Sequence, residues 1–366
     1  MPKKNTMHVI SHTHWDREWY QPFQGYRRRL VDQMDAMMDL MEERKEFRFF
    51  HLDGQTSLLT DYLAIRPDAR ERLGRLIKSG RVLIGPWFVM PDEVLLSGES
   101  LVRNLQLGYT ECAEWKTKPM PLGYCCDIFG HISQLPQIMR GFHIDSVFIH
   151  RGTSGENENT EMVWQGADDS KVLAVKCYIH EGYQDFLQMR EKSDEKIADY
   201  EKTKLELATT PVLFALDGND HQPARADTPE EIKRFESIFT ETKVIHSSWP
   251  EYLAALKKAL PADWEKKLKR IRGELRTPSK FGMWNEVING TGSSRVYLKQ
   301  ANDELEYLLP RVAETLNAWS VAAGGMSMKP YIDLAWRYLF LNHPHDSICA
   351  CSQDQVHRDM VYRFDQ

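Results

Sequence analysis

The chain has 366 residues, of which 42% are hydrophobic and 27% charged, with a formal net charge of −6. That length can bury one large core plus a smaller second unit, and the acidic balance, with no basic face interleaved with aromatics, excludes a general nucleic-acid binder. No apolar stretch approaches the roughly 18 residues that span a bilayer, and the run after Pro2-Lys3-Lys4-Asn5-Thr6 is too short for a signal peptide, so a soluble, cytoplasmic protein without membrane attachment is expected. Its six cysteines are sparse and form no CxxC pair, which predicts reduced thiols.

In chain order, apolar runs bounded by breakers predict buried strands at 7–10, 47–52, 82–89, 122–126, 146–149, 212–216 and 244–246. Apolar residues at three- and four-residue intervals predict helices at 30–43, 56–65, 69–78, 100–115 and 229–239. Strand and helix alternating in this way imply a parallel sheet, and acidic and aromatic residues just after the strands favour closure. The expected fold over 1–270 is therefore an α/β one, a β/α barrel of seven or so strands. Residues 152–204 break the rhythm with an alternating run at 171–176 and a long polar stretch, which read as an insertion carrying a hairpin and a lid-like loop. A linker rich in Gly, Pro and polar residues is expected at 272–289. Amphipathic runs at 293–322 and 331–341 then predict a helical domain over 271–366.

Chemistry gathers at the predicted strand ends, where parallel architectures place their loops on one rim. The first strand runs into His12-Thr13-His14-Trp15-Asp16-Arg17-Glu18-Trp19, which puts imidazoles, a carboxylate and an indole on one loop; His and Asp both suit a borderline cation such as zinc. Further stops carry Asp53, Asp127, His150-Arg151 and Asp217-Gly218-Asn219-Asp220-His221. A single Asp after a strand usually caps a helix, and that is the reading for Asp53. Far downstream, Asn342-His343-Pro344-His345-Asp346 follows an apolar helix. Proline ends that helix and leaves the imidazoles free to project, which allows two readings: docking on the rim would complete a metal site begun by His14 and Asp16, or the knot is a His-Asp helix terminus with ordinary hydrogen bonds.

These segments, together with LDGQ at 52–55, GPWFVMPDE at 85–93, CCDIFGH at 125–131, GTGSSR at 290–295 and NHPHDS at 342–347, resemble family 38 glycoside hydrolases, the retaining α-mannosidases, and most nearly their mannosylglycerate hydrolase-like branch. The resemblance implies a seven-stranded β/α barrel followed by a three-helix bundle, one zinc ion per chain (another divalent metal being an alternative) and a mannose-containing carbohydrate substrate. It implies metal ligands at His14, Asp16, Asp127 and His345, with Asp127 also the nucleophile and Asp220 the acid/base. It leaves Asp217 as a rival to Asp220, because Asn219 stands where some relatives have a carboxylate. Trp19, Arg151 and Asp346 fall on substrate-contacting positions. Family members continue beyond the helical bundle into large β-domains, so a fragment or curtailed product is expected. Two other readings compete: a zinc-dependent sugar deacetylase, which needs one carboxylate beside a metal-bound water, and a sugar-binding fragment with little turnover.

Overall fold

The computed structural model describes residues 3–156, 158–178, 180–280 and 286–366. The expected linker thus falls partly on residues outside the described ones (281–285), as does the expected insertion (157 and 179).

Among the described residues ten strands form: β1 (Asn5–Thr13), β2 (Phe50–Leu52), β3 (Val82–Leu83), β4 (Gly123–Cys125), β5 (Ser146–Ile149), β6 (Glu161–Gln165), β7 (Lys171–Lys176), β8 (Val212–Asp217), β9 (Thr242–Ser247) and β10 (Arg270–Arg272). β1 organises the first sheet. It pairs in parallel with β8 from Thr6↔Val212 to Ser11↔Asp217, with β9 from Asn5↔Thr242 to Ile10↔Ser247, and at its end with β2, which pairs with β3. The second sheet runs β10-β6-β7-β5-β4 and is parallel except for the β6–β7 hairpin, in which Glu161 faces Val175. Strands buried on both faces read as unbroken apolar runs, and β8 is buried at all six positions.

The seven-stranded closed barrel expected from the sequence is not what the pairing gives: there are two five-stranded sheets, and no ladder closes them among the described residues. At the seam between β3 and β4 the reason is local. β3 is only two residues long, and the chain turns away at Gly85-Pro86, so β3 and β4 meet through Met120 N–H donating to the Ile84 carbonyl (3.2 Å) and Trp87 Nε1 donating to the Tyr124 carbonyl (2.9 Å). An aromatic cluster fills the space between the sheets. Tyr124 stacks on Phe148, and Phe148 and Phe214 pack against Trp249 with centroids 4.9 and 5.2 Å apart. Glycine is required at 218, where a Cβ would come within 2.0 Å of the His12 carbonyl; only a bare backbone lets β8 leave the sheet this close to β1.

The C-terminal part is helical: Val296–Leu308, a π-helical turn Leu309–Ala313, Glu314–Ala322, Lys329–Phe340, His345–Ile348 and Asp354–Asp365. Pro310, which lacks an N–H, accounts for the π turn. Trp336, Leu339 and Phe340 pack on Phe88 and Val89, and Arg103 and Arg337 pair with Glu314 and Glu111 across the junction. Backbone at Pro91 bridges Pro344, and Asp92 N–H donates to the His343 carbonyl at 3.1 Å. Those contacts set the tip of the helical part on the rim where the strands end. Among the described residues no helix is long and apolar enough to cross a membrane.

Candidate active site

β1, β2, β4, β5 and β8 all point their carboxyl ends at one rim, and each contributes a polar side chain just beyond its last residue. The loops leaving β1 and β8 are stitched together: His14 N–H donates to the Asn219 carbonyl (3.2 Å) and His221 N–H to the His14 carbonyl (2.9 Å). Asp53 and Asp127 take left-handed backbone (φ 49 and 51), and His221 does too (φ 54). Such conformations are uncommon outside glycine and persist where the surroundings impose them, as at functional sites.

His14, Asp16 and His345 converge. His14 Nε2 lies 3.1 Å from Asp16 Oδ1, and His345 Nε2 lies 3.2 Å from the same oxygen. Asp127 Oδ2 stands 3.8 and 3.7 Å from the two imidazole nitrogens. All three converging residues are buried, and His14 Nε2, Asp16 Oδ1 and His345 Nε2 are left without a hydrogen-bond partner. Atoms held at about 2.0–2.2 Å from one ion necessarily lie about 3–3.5 Å from each other, so this spacing fits a shared cation. The electrostatics agree. Burial alone would push His14 down, yet the Asp53 and Asp16 carboxylates raise it well above its ordinary value, and Asp346, Asp127 and Asp16 do the same for His345. Asp16 is held well below the usual carboxylate range: burial opposes ionisation, but His14, His221 and His345 outweigh it. The pocket thus favours positive charge at this point, and an imidazole–carboxylate donor set suits a borderline divalent metal.

Asp53 does not cap the following helix, contrary to the sequence expectation. It is fully buried, accepts from Trp15 N–H and Gln55 Nε2 (both 2.8 Å), and lies 3.1 Å from His14 Nδ1, fixing which nitrogen His14 turns to the cluster. His221 supports Asp16 from the other side, with Nε2 3.1 Å from Oδ2.

Asp127 pairs with the Arg151 guanidinium, whose other terminal nitrogen donates to the Glu286 carbonyl at 2.9 Å. Burial works against an ionised Asp127, but Arg151, His345 and His14 hold it well below its ordinary value. Asp220 behaves oppositely: burial first, then the Asp127 and Asp16 charges, raise it, although His14 and a 2.6 Å hydrogen bond from the Tyr183 hydroxyl act the other way. Asp217 is engaged elsewhere, by Arg190 (3.1 Å) and the Thr228 hydroxyl (2.6 Å).

The C-terminal histidines separate. His345 enters the cluster, whereas His343 faces the bundle, its Nε2 2.8 Å from Asn302 Oδ1, and burial lowers it to about 3. Asp346 is buried beside His345 and accepts from the Cys351 thiol (3.0 Å). Trp19 is half-buried, with its ring against Tyr20 and His221, one layer out from Asp16.

With this geometry in view, comparison with known proteins is decisive about the family. The pattern of the "Glycosyl hydrolases family 38 N-terminal domain" matches residues 4–284. The chain belongs to this family. The "Alpha mannosidase middle domain" matches residues 286–366. A curated relative named "Putative mannosylglycerate hydrolase", from Halalkalibacterium halodurans, is 37% identical over 99% of the chain, which covers 41% of that protein. "Alpha-mannosidase 2C1" of Mus musculus is 26% identical, again over 99% of the chain but 34% of its own length. The crystal structure of an alpha-mannosidase from Enterococcus faecalis V583 superposes with a TM-score of 0.88 at 35% identity, over 99% of the chain and 41% of that protein. The chain therefore spans less than half the length of these relatives.

For three residues of the site the role was not legible in the sequence. Asp53 and His221 lie inside or beside the recognised segments LDGQ and DGND, so their positions were visible although their partners were not. Tyr183 comes from the 152–204 insertion, and nothing in its surroundings pointed to the rim.

Proposed function

We propose that this member of family 38 hydrolyses α-mannosidic bonds with retention, using one bound zinc ion, Asp127 as nucleophile and Asp220 as acid/base. The observation that carries the reading is the opposed surroundings of two carboxyls at one rim: Arg151 and the imidazoles favour the ionised form of Asp127, whereas burial and the charge of Asp127 shift Asp220 toward its protonated form. Two carboxyls in different proton states are what a double displacement at a sugar needs. A deacetylase would use only one, so this pairing favours glycosidic cleavage.

His14, Asp16 and His345, with Asp127 as the fourth donor, would hold the ion. When bound, zinc supplies Lewis acidity and a fixed positive charge beside the sugar ring. The rest falls to the chain's own residues. The Asp127 carboxylate attacks the anomeric carbon as its bond to the leaving oxygen breaks, while Asp220 gives that oxygen its proton. Asp220, now ionised, takes a proton from water, whose oxygen attacks the same carbon and frees Asp127. Tyr183, donating to Asp220, orients it and stabilises its ionised form between the two steps. Arg151 keeps Asp127 charged, and Trp19 and Asp346 line the approach for a mannose-containing substrate.

The test is a pair of variants assayed on aryl α-mannosides. Asp127→Ala should be inactive on every substrate. Asp220→Ala should lose roughly 10²–10⁴-fold on substrates whose leaving group needs a proton and much less on activated ones. NMR of the first product should show retained configuration; inversion, or equal damage from both variants on all leaving groups, refutes the assignment.

A further inference from the structure

Glu18 lies two residues after Asp16 on the loop leaving β1, and it takes no part in the ligand cluster. It is fully buried, and its side-chain partners come from the helical C-terminal part of the chain. The Ser347 hydroxyl donates to Oε1 at 2.8 Å, and the Arg363 guanidinium donates to Oε2 at 3.0 Å and also to Oε1. Arg363 is itself buried and turns its Nε to Asn342 Oδ1 at 2.6 Å. Asn342 in turn donates to the Met360 carbonyl at 3.1 Å. Ser347 and His345 share the four-residue helix His345–Ile348, so the carboxylate that follows Asp16 grips the very turn that carries His345.

A helix of one turn cannot fix its own orientation, because a single turn is unfavourable in isolation. His345 must therefore be placed from outside. On one side the Pro91–Pro344 bridge and the bond from Asp92 N–H to the His343 carbonyl hold the incoming chain. On the other, Glu18 binds Ser347 and Arg363, and Gln353 N–H donates to the Trp19 carbonyl at 3.1 Å. Replacing a buried ion pair by apolar groups often costs little stability, whereas its best-attested use is to specify register. Here the register it specifies is that of two ligand-bearing segments whose atoms must agree to within a fraction of an ångström.

We propose that Glu18, Arg363 and Ser347 form a positioning clamp that sets His345 Nε2 against Asp16 Oδ1 and so determines how tightly the rim holds its cation. The proposal rests on the metal reading of the His14–Asp16–His345 cluster. Glu18 and Arg363 are positioning residues: they act through His345 and touch neither cation nor sugar.

The experiment measures zinc dissociation constants of the full chain by competition with a chromophoric chelator, with circular dichroism to establish that each variant is folded. Partners that orient metal ligands typically contribute about 10–100-fold in affinity, and a loss in that range is expected for Glu18→Gln. Arg363→Lys keeps the charge but loses the fork, so it should weaken binding by less; it also serves as the deciding variant if Glu18→Gln does not fold. Combining Glu18→Gln with Arg363→Lys should cost little more than Glu18→Gln alone, since both break one clamp. The control is Lys204→Met, which breaks the equally buried Lys204–Asp185 pair (2.9 Å) away from the helical part and should leave zinc affinity unchanged. Unchanged affinity in folded Glu18→Gln or Arg363→Lys overturns the clamp, as does an equal loss in Lys204→Met. His345→Ala separates the two levels: if it binds zinc as tightly as the parent, the metal reading falls and the clamp with it, whereas loss in His345→Ala without loss in the clamp variants removes the clamp alone.

Discussion

Two of the buried groups of ligand-type side chains among the described residues differ in where their lone pairs point. In the group His14, Asp16 and His345, three atoms face one spot and have no hydrogen-bond partner. The group Glu93, Cys125 and His131 is equally buried and as compact, but its carboxylate is already engaged: Oε1 lies 2.9 Å from His131 Nδ1, and Oε2 accepts from Ile132 N–H at 3.2 Å. His131 also exchanges both backbone hydrogen bonds with Leu275, so this second group braces the loop that carries Asp127. Residue types bring such clusters together, but hydrogen-bond accounting decides which has room for a cation.

The largest expected effect sharpens that contrast. A His14→Ala, Asp16→Ala double variant should retain no zinc after dialysis by elemental analysis. Glu93→Gln should keep its ion and instead lose about 1–3 kcal/mol of stability, the cost of leaving a buried partner poorly satisfied, read from denaturant unfolding. Full occupancy in the double variant, or an empty but folded Glu93→Gln protein, would erase the distinction between the clusters.

An intermediate effect is expected at Asp53, which belongs to neither group but orients one. Asp53→Asn should weaken zinc binding by roughly 10–100-fold and leave the fold intact, because an amide can keep the acceptor for Trp15 N–H but not the negative charge facing His14. Tight binding in that variant would mean His14 needs no orienting partner.

The smallest effect is on pH dependence. Burial pushes Asp92, next to Glu93, up to about 6. A carboxyl raised in the folded state contributes stability that is fully present below its unfolded value and is lost as pH rises through the folded one. The melting temperature should therefore decline between about pH 4, the ordinary carboxylate range, and about 6, and Asp92→Asn should flatten that decline. An identical slope in the variant would assign the decline to other groups. Asp220 is raised in the same sense, so on substrates that need a proton the rate should fall on the alkaline side as pH passes its folded value.

Much of the architecture was legible because period and punctuation are local properties. The apolar runs around Met7, Val147, Phe214 and Val244 became strands β1, β5, β8 and β9, and 171–176 became the second strand of the β6–β7 hairpin. Strand extents were less legible. The run at 82–89 yielded a two-residue strand, because Gly85-Pro86 redirects the chain and the backbone N–H groups of Trp87 to Met90 bond to Gly54, Asn104 and Gln55 instead of to a neighbouring strand. The same stretch leaves the β3–β4 seam without a ladder.

By itself the sequence determined which side chains stand at strand exits, since a buried apolar run followed at once by His, Asp or Arg has one place to end. It also carried the motifs that mark the family. Only the tertiary structure decided what those side chains do. Asp53 and Asp217 each stand at a strand end, yet one turns to His14 and the other to Arg190 and Thr228. His343 and His345 are two residues apart, yet one faces the bundle and one the rim. Glu18 reaches a partner 345 positions away. The physical reason is common to all of them: a residue's environment is set by parallel pairing and helix docking over long sequence separations, and lone pairs, burial and proton state follow from that environment, not from neighbours in the chain.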